Sequence, residues 1–93
     1  MDNDQIHAAL EGILETLASI EHERWSHWQR YMHSKGKLQL DGSMLVPADL
    51  TRRWASQMTK PYSALTDTEK ESDREQVRKY LVHIRDAIAA LEP

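Results

Sequence analysis

The sequence predicts a mainly α protein: a long N-terminal helix antiparallel to a long C-terminal helix, with a short β-hairpin and a third, shorter helix between them. Three observations carry that expectation. Ile6, Leu10, Ile13, Leu17 and Ile20 recur at spacings of four and three, and so do Val77, Leu81, Ile84, Ile88 and Leu91. That is the periodicity of helices packing along one stripe. Between the two seams, KLQL and SMLV alternate with period two around Asp41-Gly42, the pattern of a hairpin. Finally, 93 residues suffice for one domain, residues 1–93, and not for two independent cores.

Taken in order, the elements have recognisable punctuation. Asn3 or Asp4 is placed to cap a first helix that meets no proline before Gly36; the internal Gly12 is tolerable in so long an element. Such a helix would be about 45 Å long. Asp41-Gly42 predicts a tight two-residue turn. Pro47 suits the first turn of the next helix, which must stop before Pro61 and would bury Leu50, Trp54 and Met58. After the Pro61-Tyr62 turn, Thr66 and Glu69 form a capping box, with Ser72 and Glu75 as a second possible start.

Folding the seams antiparallel brings Ile6 toward Leu91 and Ile20 toward Val77. The resulting arm, residues 3–20 with 77–92, has no third element to cover it, and Ala9, Leu14, Tyr80 and Ala87 broaden its apolar faces. The same arm of a second subunit would complete a four-helix bundle, so a homodimer is expected.

Composition narrows the chemistry. There is no Cys, which removes disulfides and thiolate metal sites. The net charge of −3 is unevenly spread. Residues 1–20 hold four acids and no Lys or Arg, 21–60 hold seven bases and four acids, and 61–93 hold five bases and seven acids. The mildly basic middle is far from the dense stripe of a nucleic-acid footprint, so nucleic acid is possible and not indicated. The opening MDNDQIHAAL lacks a basic signal region and no apolar run reaches membrane length, so a cytoplasmic protein without membrane contact is expected.

The densest stretch is EHERWSHWQRYMH at residues 21–33. Beyond Ile20 the seam turns polar at Arg24 and His27, and before Val77 it turns polar at Arg74, Asp73 and Lys70. Charges facing inward need partners. Antiparallel alignment pairs Arg24 with Asp73, and Glu21 or Glu23 with Arg74, under a roof of Trp25, Trp28, Trp54 and Tyr62. This cluster reads either as a structural polar core or as a pocket. In the second case the aromatic rings stack a flat, nucleotide-like ligand and Arg24, Arg74 or Arg53 binds its anionic group.

Other chemistries fit poorly. His22 and His27 are five apart and so miss the four-residue spacing of a zinc-protease helix. Glu23 and His27 are four apart but need a third ligand. Glu11/Glu15 and Glu71/Glu75 lack the facing acidic motif of a magnesium-dependent hydrolase. No catalytic residue, metal or cofactor is assigned.

HERW at 22–25, PYSAL at 61–65 and EKESDREQV at 69–77 together resemble the ryanodine receptor domain family. The matching residues are His22, Glu23, Trp25, Pro61, Tyr62, Leu65, Glu69, Lys70, Asp73 and Arg74, within residues 20–82. Ser72 replaces the family's usual aromatic residue before Asp-Arg, and the hairpin and Trp54 helix replace its usual intervening loop. The resemblance implies a non-catalytic interaction or ligand-sensing module of the small standalone kind found in bacteria and phages.

Overall fold

The computed structural model describes residues 1–92. It is mainly helical: α1 (Asn3–Glu11), α2 (Leu14–Lys35), β1 (Lys37–Leu38), β2 (Met44–Leu45), α3 (Ala48–Thr59), a single 3₁₀ turn (Tyr62–Ala64) and α4 (Asp67–Ala89). The long α2 and α4 run antiparallel and the hairpin and α3 lie between them in sequence, as the periodicity predicts.

The expected single N-terminal helix is interrupted. Gly12 N–H still donates to Ala8 at 3.0 Å, but Ile13 N–H reaches Leu10, three residues back, at 3.2 Å. Glycine weakens a helix interior by about 1 kcal/mol relative to alanine, and here the weakening suffices to tighten one turn. The cap also falls earlier than Asn3 or Asp4. Asp2 accepts from Gln5 N–H and Gln5 Oε1 accepts from Asp2 N–H, both at 2.8 Å, closing a capping box one residue upstream.

The chain forms two compact units. One comprises Met1–Arg24 with Ser72 onward; the other comprises Trp25–Glu71. In the first, Ile6, Ala9, Ile13, Leu17 and Ile20 are half-buried, as are Tyr80, His83, Ile84, Ala87, Ile88 and Leu91 of the C-terminal segment. The expected seams are therefore in place with two shifts. On α1 Leu10 is exposed and the half-buried Ala9 stands in its place; the second falls on α4. Val77 and Leu81 are exposed and Tyr80 takes the seam position between them. Tyr80 Oη donates to the Glu21 carboxylate, which sets residue 21 level with residue 80.

In the second unit the hairpin pairs Lys37 with Leu45 and Leu38 with Met44. That register is one residue short of the expected two-residue turn. Gln39 N–H donates to Ser43 at 2.7 Å and Gly42 N–H to Gln39 at 3.1 Å, so Leu40, Asp41 and Gly42 form a three-residue loop. Gly42 has φ +89, the left-handed residue that follows a type I turn in such loops. Asp41 Oδ1 accepts from Ser43 N–H at 2.9 Å, and this bond from the following residue stabilises the wider turn.

Pro47 sits at the N-cap of α3, and the helix ends at Thr59 before Pro61, as expected. Its covered face is Leu50, Trp54 and Gln57, whereas Met58 is exposed. α4 starts once, at the Thr66–Glu69 box: Thr66 N–H donates to Glu69 at 3.0 Å and Glu69 N–H to Thr66 Oγ1 at 3.2 Å. The helix passes through Ser72 without using it as a second start.

Candidate functional site

The eight residues singled out from sequence divide between the units. Glu23, Arg24, Asp73 and Arg74 belong to the first, and Trp25, Trp28, Trp54 and Tyr62 to the second.

In the first unit the polar group is local. Arg24 sits three residues after Glu21 on α2, and neighbours three apart face each other on a helix. Its guanidinium forms a fork with that carboxylate, the Nε contact at 3.4 Å and the Nη2 contact closer. Arg24 thus bonds to Glu21 instead of forming the expected pair with Asp73, and its side chain is 48% exposed. A half-exposed guanidinium has no need of a buried counter-charge, and one on its own helix is reached at smaller entropic cost. Asp73 is exposed, so neither member of the expected pair is a buried charge.

Electrostatics follow this geometry. Arg24 first, and Tyr80 second, hold the Glu21 carboxyl below its ordinary value. Glu21 in turn raises Arg24 and raises the Tyr80 phenol, whose proton it accepts in the hydrogen bond. Tyr80 was not among the residues singled out for the site, and Glu21 entered it only as an alternative partner of Arg74. The three-residue Glu21–Arg24 spacing was the available signal.

In the second unit an aromatic group assembles. Trp28 on α2 meets Trp54 on α3 edge-on, centroids 5.3 Å apart at 69°. Tyr31, one turn further along α2, stacks on Trp28 at 5.6 Å and 30°. Both arrangements are favoured by the ring quadrupoles. Trp28 nevertheless remains 42% exposed and Tyr31 is exposed beside it, so the cluster presents a face to solvent. Lys35 Nζ lies 5.5 Å from the Tyr31 centroid, a cation placed at the rim of that face. Tyr62 takes a separate cation, Lys70, at 5.7 Å. Trp25 is exposed. Tyr31 and Lys35 were missed from sequence, although Trp28-x-x-Tyr31 and the four-residue step to Lys35 were legible helical spacings.

Among the described residues no three His, Asp or Glu side chains gather as a metal-binding group, and no helix is long and apolar enough to cross a membrane. No protein-family model, curated protein or solved structure matches this chain.

Proposed function

We propose that the chain is a non-catalytic interaction or ligand-sensing module of the ryanodine-receptor-domain type, acting in the cytoplasm of a bacterium or phage-infected cell as a homodimer through its helical arm. Its ligand face is the aromatic cluster of the second unit. The observation that carries this reading is the Trp28–Trp54–Tyr31 group, in which the rings hold one another in place while Trp28 stays open to solvent. Rings already oriented by mutual packing lose little entropy on binding a flat partner. Lys35 at the Tyr31 rim supplies a charge for an anionic group attached to that partner. A nucleotide-like molecule has both features: a planar base and a phosphate.

The motif residues are compatible with such a module. HERW lies on α2, PYSAL contains the 3₁₀ turn, and EKESDR lies in the first turns of α4 behind the Thr66–Glu69 cap. Titration with adenosine monophosphate, followed by tryptophan fluorescence, tests the ligand reading. Quenching that saturates in wild type and disappears in Trp28→Ala is the expected result. Fluorescence unchanged up to millimolar nucleotide overturns the nucleotide assignment.

A further inference from the structure

Resting on the homodimer reading above, we infer which face of the first unit meets the second copy and how the two copies are arranged. Four of the large apolar residues that the seam leaves uncovered share one side; Val82, on the back of α4, stands apart. Leu10 follows the seam residue Ala9, Leu14 follows Ile13, and Leu81 follows Tyr80; Val77 follows the half-buried Gln76. Each lies about 100° round its helix from the seam, in the same sense of chain advance. Because the helices run antiparallel, that common sense leads to the same side of the pair. The opposite side, one position before seam residues, carries Thr16, Ser19, Lys79 and Asp86 together with the small Ala8. The first side is therefore the richer in large apolar side chains, although His7 and Arg85 also fall on it.

The uncovered face is made of large side chains, as the centre of an interface requires. Among the described residues none is fully buried. On this face Leu14 is 55% and Leu81 52% exposed.

Charge then selects the arrangement. The next position round from Leu10 and Leu14 is acidic on the N-terminal helices, Glu11 and Glu15. On α4 the basic Arg78 follows Val77 of that face, and the basic Arg85 follows the seam residue Ile84. Stacking α1 and α2 on their own copies would set acid against acid along the rim, and α4 on α4 would set base against base. A two-fold axis parallel to the helices avoids both, placing α1 and α2 of one copy over α4 of the other. With residue 21 level with residue 80, residue 15 comes level with residue 86 of the second copy, one residue from Arg85. Within its own chain Arg85 bonds only weakly to the adjacent Asp86, at 3.2 Å and exposed. The result is a four-helix bundle of alternating direction with an apolar centre and acid–base rims.

Sedimentation velocity across a concentration series, with circular dichroism to monitor folding, tests the dimer and its arrangement separately. Wild type is expected to sediment as a dimer at micromolar concentration. Leu14→Glu is expected to weaken self-association about 100-fold, by placing a charge in the interface. Val82→Glu, at a similarly exposed apolar position on the back of α4, is expected to leave it intact. Glu15→Arg should weaken the dimer and Arg85→Glu in the same chain should restore it. A wild type that stays monomeric overturns the dimer reading and this inference together. A dimer indifferent to Leu14→Glu overturns the face and leaves the dimer standing. A dimer that Glu15→Arg leaves intact, or that the double charge reversal does not restore, overturns the arrangement. Should Leu14→Glu lose its helix, the charge-reversal pair still decides the arrangement.

Discussion

The two units stabilise themselves by different means. The first, Met1–Arg24 with Ser72 onward, is a pair of antiparallel helical segments whose contacts recur every three or four residues. Its acids outnumber its bases by five, and a hydrogen bond from Tyr80 to Glu21 ties its two segments together. The second, Trp25–Glu71, holds all three tryptophans and the only strands among the described residues, and its bases outnumber its acids by two. The first distributes small, repeated apolar contacts along a seam; the second concentrates packing in a few large rings. A repetitive seam tolerates the loss of one member better than a three-ring cluster does.

That contrast can be broken or sharpened by substitution. Trp54→Ala carries the largest expected effect, a loss of about 2–3 kcal/mol for a half-buried tryptophan whose removal also deprives Trp28 of its edge-on partner. Tryptophan fluorescence reads the second unit alone, because Trp25, Trp28 and Trp54 all lie there. Urea unfolding followed by fluorescence checks the value, and an unchanged midpoint would contradict the idea that the rings hold this unit together.

Acid should act on both units through different groups. Glu21 in the first unit, and Asp41 and Glu69 in the second, are held below their ordinary values by hydrogen-bond donors: Arg24 for Glu21, Ser43 for Asp41 and Thr66 for Glu69. Below about pH 4 the unfolded chain binds protons that the folded chain resists, so stability present at neutral pH is lost as the pH falls through the folded values. Tyr80 has the opposite sign: its raised value gives stability that is lost only as alkaline pH passes it. Glu21→Gln should flatten the acid limb seen by far-ultraviolet ellipticity and leave the limb seen by tryptophan fluorescence. If both limbs flatten together, Glu21 is not confined in its effect to the first unit.

The smallest effect is expected at Asp73. An inward Arg24–Asp73 pair would make Asp73→Ala cost about 3–5 kcal/mol. With Arg24 bonded to Glu21 and half-exposed, the change should cost less than about 0.5 kcal/mol. Chemical denaturation of that variant checks it directly.

These differences follow the range over which each interaction is encoded. Capping at Thr66–Glu69 and the stop before Pro61 were legible because each depends on residues within a turn of the chain. The seams were legible because helical period is a property of the sequence itself. Trp54 was legible as a residue that packs, on α3's periodic face, while its partner Trp28 had to be supplied by a separate helix. The hairpin's existence could be read from alternation, but strands of two residues leave too few pairs to determine register. The Arg24 expectation carried the seam onto an exposed position, since past Ile20 the half-buried positions of α2 are Ser26, Gln29 and Met32. Once solvent reaches both groups, the nearest carboxylate wins over the distant one.

By itself, then, the sequence determined the long helices, most of their seam positions and ends, and the presence of a hairpin between them, since local sterics and period are written residue by residue. Only the tertiary structure decided that Gly12 breaks the first helix, that Tyr80 displaces Val77 and Leu81 from the seam, and that Trp28, Tyr31 and Trp54 form one open face. It likewise decided that Arg24, within EHERWSHWQRYMH, finds its carboxylate on its own helix. The first and last of these have local causes, a glycine's weak helix propensity and a carboxylate three residues away; the other two share one reason. Which side chains become covered depends on how elements turn toward one another, and a rotation of one residue, about 100° round a helix axis, moves an apolar position from seam to surface.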